Sequence, residues 1–162
     1  MTNILGLTNQ EFLMRARADL RLGVPVVLGR NGIDVVVAAI DVLRQSRLDQ
    51  LKSIDENSFI LITARRAETL KCPVYDGNFA RLEIGQTPKV SSLKAIADPS
   101  LDLKNPLKGP LNVIRERPLN LENNALLLLK SAQLLPAAII SQVNNGENFA
   151  SKHNLTYLQT KQ

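Results

Sequence analysis

Two apolar runs rich in β-branched residues, 24–28 and 33–37, dominate the hydrophobic pattern, and they flank a polar break at residues 29–32. Asn31-Gly32 inside that break predicts a tight hairpin, because both central residues of a primed two-residue turn need positive φ. Nearly every residue of both runs is apolar, rather than every second one. That pattern predicts a hairpin inside a sheet covered on both faces. The polar tip is the only part of it where chemistry could sit.

The rest of the chain alternates helical and strand-like patterns. Thr8-Asn9-Gln10-Glu11 has the capping-box spacing, and Phe12, Leu13, Ala16 and Leu20 follow at helical intervals, with Gly23 as the stop. A helix is expected over 46–54, a short buried strand over 59–62, and a turn of helix capped by Thr63 over 64–70. A strand over 80–84 precedes a helix that starts at Thr87-Pro88 and carries Val90, Leu93 and Ile96. Prolines at 99, 106, 110 and 118 mark an irregular surface excursion, with a short strand expected at 111–114. The strongest helical pattern covers 121–135, led by Asn120 and stopped by Pro136. A buried strand over 137–143, a turn at Asn144-Asn145-Gly146, a helix over 147–153 and a strand over 155–159 complete the chain. The alternation predicts an α/β (α+β) sandwich: a mixed β-sheet covered by helices, in one domain spanning 1–162.

Composition narrows the chemistry. At 162 residues and 44% hydrophobic content, the chain can bury a real core, and with no Trp that core must be Leu, Ile, Val and Ala. One Cys excludes an internal disulfide, and with one His it excludes a Cys/His zinc cluster. Cysteine usage fits a reducing cytoplasm. No signal-peptide pattern opens the sequence, and no apolar stretch approaches the roughly 20 residues needed to span a bilayer, so no membrane association is expected. Net charge is +5 without a dense basic run, which fits a solvated basic surface better than a nucleic-acid partner. Four cations are weak candidates for binding an anion, such as a phosphate-containing ligand: Arg65 and Arg66 at a predicted helix start, and Lys108 and Arg117 in the irregular stretch, with Lys104 and Arg115 nearby. Cys72 and His153 read as an inert thiol and a helix-end imidazole.

The order of short motifs resembles the dihydroxybutanone phosphate synthase family, the riboflavin-pathway enzymes that make a four-carbon phosphate from ribulose 5-phosphate. Gly23-Val24-Pro25-Val26-Val27 resembles the family's Gly-x-Pro-Val-Val strand, and Ile33-Asp34-Val35-Val36-Val37-Ala38-Ala39 its Gly-Asp-Leu-Ile-x-Ala-Ala strand. Ile62-Thr63-Ala64-Arg65-Arg66-Ala67-Glu68-Thr69-Leu70 is similar to Leu-Thr-x-x-Arg-Ala-x-x-Leu. Leu93-Lys94-Ala95-Ile96-Ala97-Asp98-Pro99, Ala132-Gln133-Leu134-Leu135-Pro136-Ala137-Ala138-Ile139-Ile140 and Phe149-Ala150-Ser151-Lys152-His153-Asn154-Leu155 echo three further segments. These are mostly core and turn positions, so they speak to fold more than to chemistry.

Where that family carries its chemistry, this sequence departs from it. The acidic, Mg²⁺-holding loop is reduced to Gly29-Arg30-Asn31-Gly32-Ile33, with Asp34 alone surviving. Asn105-Pro106-Leu107-Lys108 stands for Arg-Pro-Gly-His, and Asn120-Leu121-Glu122-Asn123 for Gly-His-Thr-Glu, which puts Leu121 in the slot of a metal-ligating His. Ser141-Gln142 replaces Cys-Glu, and the strand Cys falls near Phe59; an amide is no general base near neutral pH.

The resemblance therefore implies a catalytically degenerate synthase-like domain with no catalytic residue, metal or cofactor, of the kind found at the N-terminus of some GTP cyclohydrolase II proteins. Its implied partners are a second copy in a homodimer and a GTP cyclohydrolase II domain. The cyclohydrolase half needs three zinc-ligating Cys residues that this chain does not have. Two alternatives stand beside this reading. One is an anion-, nucleotide- or RNA-binding module, since the fold is shared with an RNA-binding, threonyl-adenylate-forming family. The other is an active site relocated to residues not linked by the motifs.

Overall fold

Asn31 and Gly32 both take positive φ, +50° and +80°, and join strand β1 (Val26–Arg30) to antiparallel strand β2 (Ile33–Ala39). Arg30 pairs with Ile33 and Val26 with Val37, the register of a two-residue turn. The computed structural model describes residues 5–106 and 110–160. Six strands form one sheet in the order β4-β3-β5-β2-β1-β6, with β3 at Phe59–Thr63, β4 at Phe79–Glu83, β5 at Ala137–Val143 and β6 at Tyr157–Gln159. Only β1 and β6 run parallel; every other neighbouring pair is antiparallel, so the sheet is mixed.

Both faces of this sheet are covered, and each has its own core. Val27, Val36, Ile60, Ile62 and Ile139 point to one side. They meet Leu48 and Leu51 of α2 (Gln45–Ile54), Ala67 of α3 (Ala64–Thr69), Leu93 and Ile96 of α4 (Val90–Ala97), and Ala150 of α6 (Gly146–His153). Val26, Leu28, Val35, Val37, Leu61 and Ile140 point to the other side. There they meet Ala16 and Leu20 of α1 (Asn9–Arg21) and Ala125, Leu126 and Leu129 of α5 (Glu122–Ser131). The continuous apolar runs of β1 and β2 follow from this, since alternate side chains enter different cores.

The predicted helix starts are largely as expected. The Thr8 hydroxyl accepts from the Glu11 amide (3.1 Å) while the Glu11 carboxylate accepts from the Thr8 amide (2.8 Å), and these bonds hold the Glu11 carboxyl below its usual value. Thr63 caps α3 through the Arg66 amide (3.1 Å). Asn145, at φ +49°, caps α6 through the Asn148 amide, and the helix begins at Gly146.

Four expectations need correction. Helix α4 begins two residues beyond Pro88, because the Gln45 side chain accepts from the Val90 amide (3.0 Å) and donates to the Pro88 carbonyl (3.0 Å), capping α4 from α2. Helix α5 ends at Ser131, short of Pro136. Gln133 turns to φ +62°, and the Leu134 amide folds back to the Leu129 carbonyl (3.1 Å). Asn120 is not its cap; the Glu122 carboxylate takes the Leu119 and Leu121 amides instead (2.8 and 3.0 Å). Finally, 111–114 forms a single bridge, Val113 to Leu82, rather than a strand. Its amide and carbonyl contacts to Arg81 and Glu83 cover the β4 edge before Pro118 turns the chain away.

Candidate functional site

Asp34, the one acid at the hairpin tip, is tied into the fold at both oxygens. Its Oδ2 accepts from the Gly146 amide at the first turn of α6 (2.8 Å) and its Oδ1 from the Tyr157 hydroxyl (3.3 Å). A negative charge suits a helix N-terminus. The packing there is so close that a Cβ on Gly146 would lie 2.5 Å from the Asp34 Cβ. Burial, and then the Asp34 charge, push the Tyr157 phenol above its ordinary value. Asp34 thus joins β2, α6 and β6.

Arg30 leaves the tip in the opposite direction and donates to the Asn120 carbonyl (3.1 Å). It lines a polar cavity of about 250 Å³ with Asp76, Phe79, Asn120, Glu122 and Asn123. Beside that cavity lies a buried ionic cluster that sequence reasoning missed. Arg81, on β4, is 3% exposed and donates through Nε to Asp76 Oδ2 (3.3 Å), with Glu122 Oε2 at 3.9 Å. Its Nη2 donates to the Glu116 carbonyl, and its guanidinium lies 5.8 Å from the centroid of the Phe59 ring. The available signal was a lone Arg within the apolar run 79–84 and a Glu at the head of an apolar helix. Leu121, one residue before α5, is 1% exposed in the core with Phe59.

A larger cavity, about 680 Å³, opens where β3 begins and β4 and β5 end. Phe59, Gln142, Arg117 and Leu119 line it, which brings together two residues that the motif resemblance singles out, a phenyl ring and a side-chain amide. Beside them Ser58 and Ser141 share a buried hydroxyl–hydroxyl bond (2.7 Å), and the Gln142 backbone N–H donates to Asp55 Oδ2 (2.9 Å). The lining charges are four carboxylates, Asp55, Glu56, Glu83 and Glu116, against three cations, Lys52, Arg81 and Arg117. That balance gives no electrostatic basin for an anion.

Of the four candidate anion ligands, the three that lie among the described residues do not come together. Arg117 is exposed at the larger cavity, near the Phe59 end of β3, whereas Arg65 is exposed beyond Thr63 at the other end of that strand. Arg66 is buried and structural. Its Nε and Nη2 donate to the Ile96 and Ala95 carbonyls (2.6 and 3.1 Å), and Nη1 and Nη2 clasp Asp102 (2.9 and 2.8 Å). These partners, rather than an anion, take up its guanidinium. Lys108 lies outside the described residues. His153 packs its ring against Phe149, with centroids 4.4 Å apart. The Cys72 thiol is buried and pushed above its usual value by that burial, which disfavours the nucleophilic thiolate.

These residues do not fit a Mg²⁺ site. A hard dication needs several oxygen ligands, yet Asp34 is committed to the fold, Arg30 brings a positive charge and Leu121 brings none. Among the described residues no three His, Cys, Asp or Glu side chains are placed to share a metal ion.

No protein-family model and no curated protein sequence matches the chain. Solved structures do. RibBX, a two-domain 3,4-dihydroxy-2-butanone 4-phosphate synthase from A. baumannii, superposes with a TM-score of 0.68 at 16% identity over 91% of this chain, which spans 55% of that longer protein. The synthase of Candida albicans gives 0.65 at 15% identity, covering 91% of this chain and 92% of its own. A synthase in complex with two magnesium ions gives 0.68 at 10% identity over the same shares. At these identities the likeness concerns the backbone: the chain has the fold of a 3,4-dihydroxy-2-butanone 4-phosphate synthase.

Proposed function

We propose that this chain is a catalytically silent synthase-like domain related to riboflavin biosynthesis, with a structural, assembly or regulatory role. The observation that carries this reading is the commitment of Asp34. The last acid of the presumptive metal loop spends both oxygens on the Gly146 amide and the Tyr157 hydroxyl. Gln142 in place of a general base and Leu121 in place of a ligating His support it. We place 1–162 as one such domain, acting in the cytoplasm as a homodimer and joined in its full setting to a GTP cyclohydrolase II domain. That domain would have to supply the zinc thiolates, because this chain has one cysteine. No helix among the described residues is long and apolar enough to cross a membrane. An anion- or RNA-binding module is the competing reading; the separation of Arg65 from Arg117 and the four carboxylates around the larger cavity count against it.

Thermal unfolding with Mg²⁺, ribulose 5-phosphate, GTP or short RNA separates the two readings. A ligand present at 100 times its Kd stabilises a fold by about 2.7 kcal/mol, which is several degrees of Tm for a domain of this size. We expect no shift with any of the four. A shift with Mg²⁺ that ribulose 5-phosphate enlarges would overturn the proposal, and one with GTP or RNA alone would favour the competing reading.

A further inference from the structure

The chain contains two Asn-Gly dipeptides, Asn31-Gly32 and Asn145-Gly146. Such a pair is chemically poised for deamidation. The glycine amide nitrogen attacks the asparagine Cγ, a C–N bond forms, and ammonia leaves as the ring closes to a succinimide. Water then opens either ring C–N bond, giving aspartate or isoaspartate. The balance is one water taken up and one ammonia released, with no oxidant, reductant or enzyme. Glycine favours the attack because no side chain crowds its nitrogen. The reaction also needs a free amide and an asparagine side chain free to swing toward it.

The fold separates the two sites although both asparagines start from the same left-handed backbone, φ +50° and +49°. At the hairpin tip Asn31 and Gly32 are exposed, and nothing lies within 4 Å of the position a Gly32 Cβ would take. The Gly32 amide donates no hydrogen bond among the described residues, and the Asn31 side chain makes none. At the start of α6 the reverse holds. Gly146 is buried, its amide donates to Asp34 (2.8 Å), and the Asn145 Oδ1 is occupied by the Asn148 amide (3.3 Å). Ring closure at Asn145 must break these bonds and unwind the first turn of α6. Ring closure at Asn31 needs only a local opening of an exposed turn, the low end of the range of opening free energies in a native protein.

We infer that Asn31 is a site of spontaneous covalent modification and that Asn145 is protected by the fold. The product places a carboxylate beside Arg30, and the isoaspartate form adds one backbone atom to a two-residue turn. The hairpin tip would then change charge and geometry with the age of the molecule.

The test is to hold the full folded chain in warm neutral buffer, digest it with trypsin at intervals, and follow the mass gain of an amide-to-acid change in the peptides bearing Asn31 and Asn145. A parallel sample is kept unfolded in denaturant, and an Asn31→Asp variant marks the product's elution. In the folded chain the Asn31 peptide should convert at least about tenfold faster than the Asn145 peptide, and in the unfolded sample both should convert at comparable rates. Equal rates at the two sites in the folded chain, or an Asn31 as protected as Asn145, would overturn the inference.

Discussion

Replacing Arg81 with Met should cost the fold about 3–5 kcal/mol, the usual penalty for removing one partner of a buried ion pair. The side chains left behind are Asp76 and Glu122, 8% and 1% exposed, and the small polar cavity they line is their route to water. Glu122 keeps its two backbone donors at Leu119 and Leu121, but Asp76 and the Glu116 carbonyl lose their guanidinium partner. For a domain of this length the loss corresponds to roughly 6–20 °C in Tm. Denaturant unfolding with a two-state fit is the measurement. Should Arg81→Met fail to fold, Glu122→Gln reports on the same cluster, because the amide keeps an acceptor but loses the charge. A change below about 1 kcal/mol in both variants would mean that the cluster is not the brace described here.

Arg66→Met is expected to cost about 2–4 kcal/mol, by a different route. Ala95 and Ile96 lie in the last turn of α4, where carbonyls have no partner within the helix, and Arg66 supplies both the hydrogen bonds and a positive charge at the negative end of the helix dipole. Two buried carbonyls left without donors account for most of the cost. The clasp on Asp102 adds less, since that carboxylate is 33% exposed and its attraction is screened by water. Arg66→Lys should recover little, because one ammonium cannot span two carbonyls and a bidentate carboxylate. Thermal unfolding of both variants checks this; full recovery by Lys would show that charge alone, not the planar fork, holds α4 in place.

Both residues illustrate what the sequence makes legible. The hairpin, the Thr8 capping box and the Thr63 cap rest on interactions between residues at most a few positions apart, so spacing alone carries them. The alternation of strands and helices carried the sheet and its two covered faces. Arg66 looked like a free cation at a helix start because its partners lie 29–36 residues away, beyond any local pattern. Arg81 is hidden partly for a similar reason: Asp76 is five residues away, but Glu116 and Glu122 lie far along the chain. The early end of α5 at Ser131 was hidden because the apolar pattern continues through Leu134 and Leu135. There a positive φ at Gln133, rather than composition, ends the helix.

The candidate site was legible in a different sense. Motif order points to the fold, and the residues that the resemblance sets at the family's functional positions carry the proposed loss of chemistry. Only the three-dimensional structure places Phe59 and Gln142 on one cavity and shows where the Asp34 oxygens are spent. A fold hosts function without implying it, so the same sheet can carry a metal-dependent sugar-phosphate enzyme in one protein and a scaffold in another. In this chain the Gly146 amide and the Tyr157 hydroxyl hold both oxygens of Asp34.

Turnover is the most direct test: incubate the folded chain with ribulose 5-phosphate and excess Mg²⁺, and quantify the four-carbon phosphate formed. The account predicts product at the level of a protein-free control, with or without a chelator. Product above that level that disappears when Mg²⁺ is chelated would contradict it.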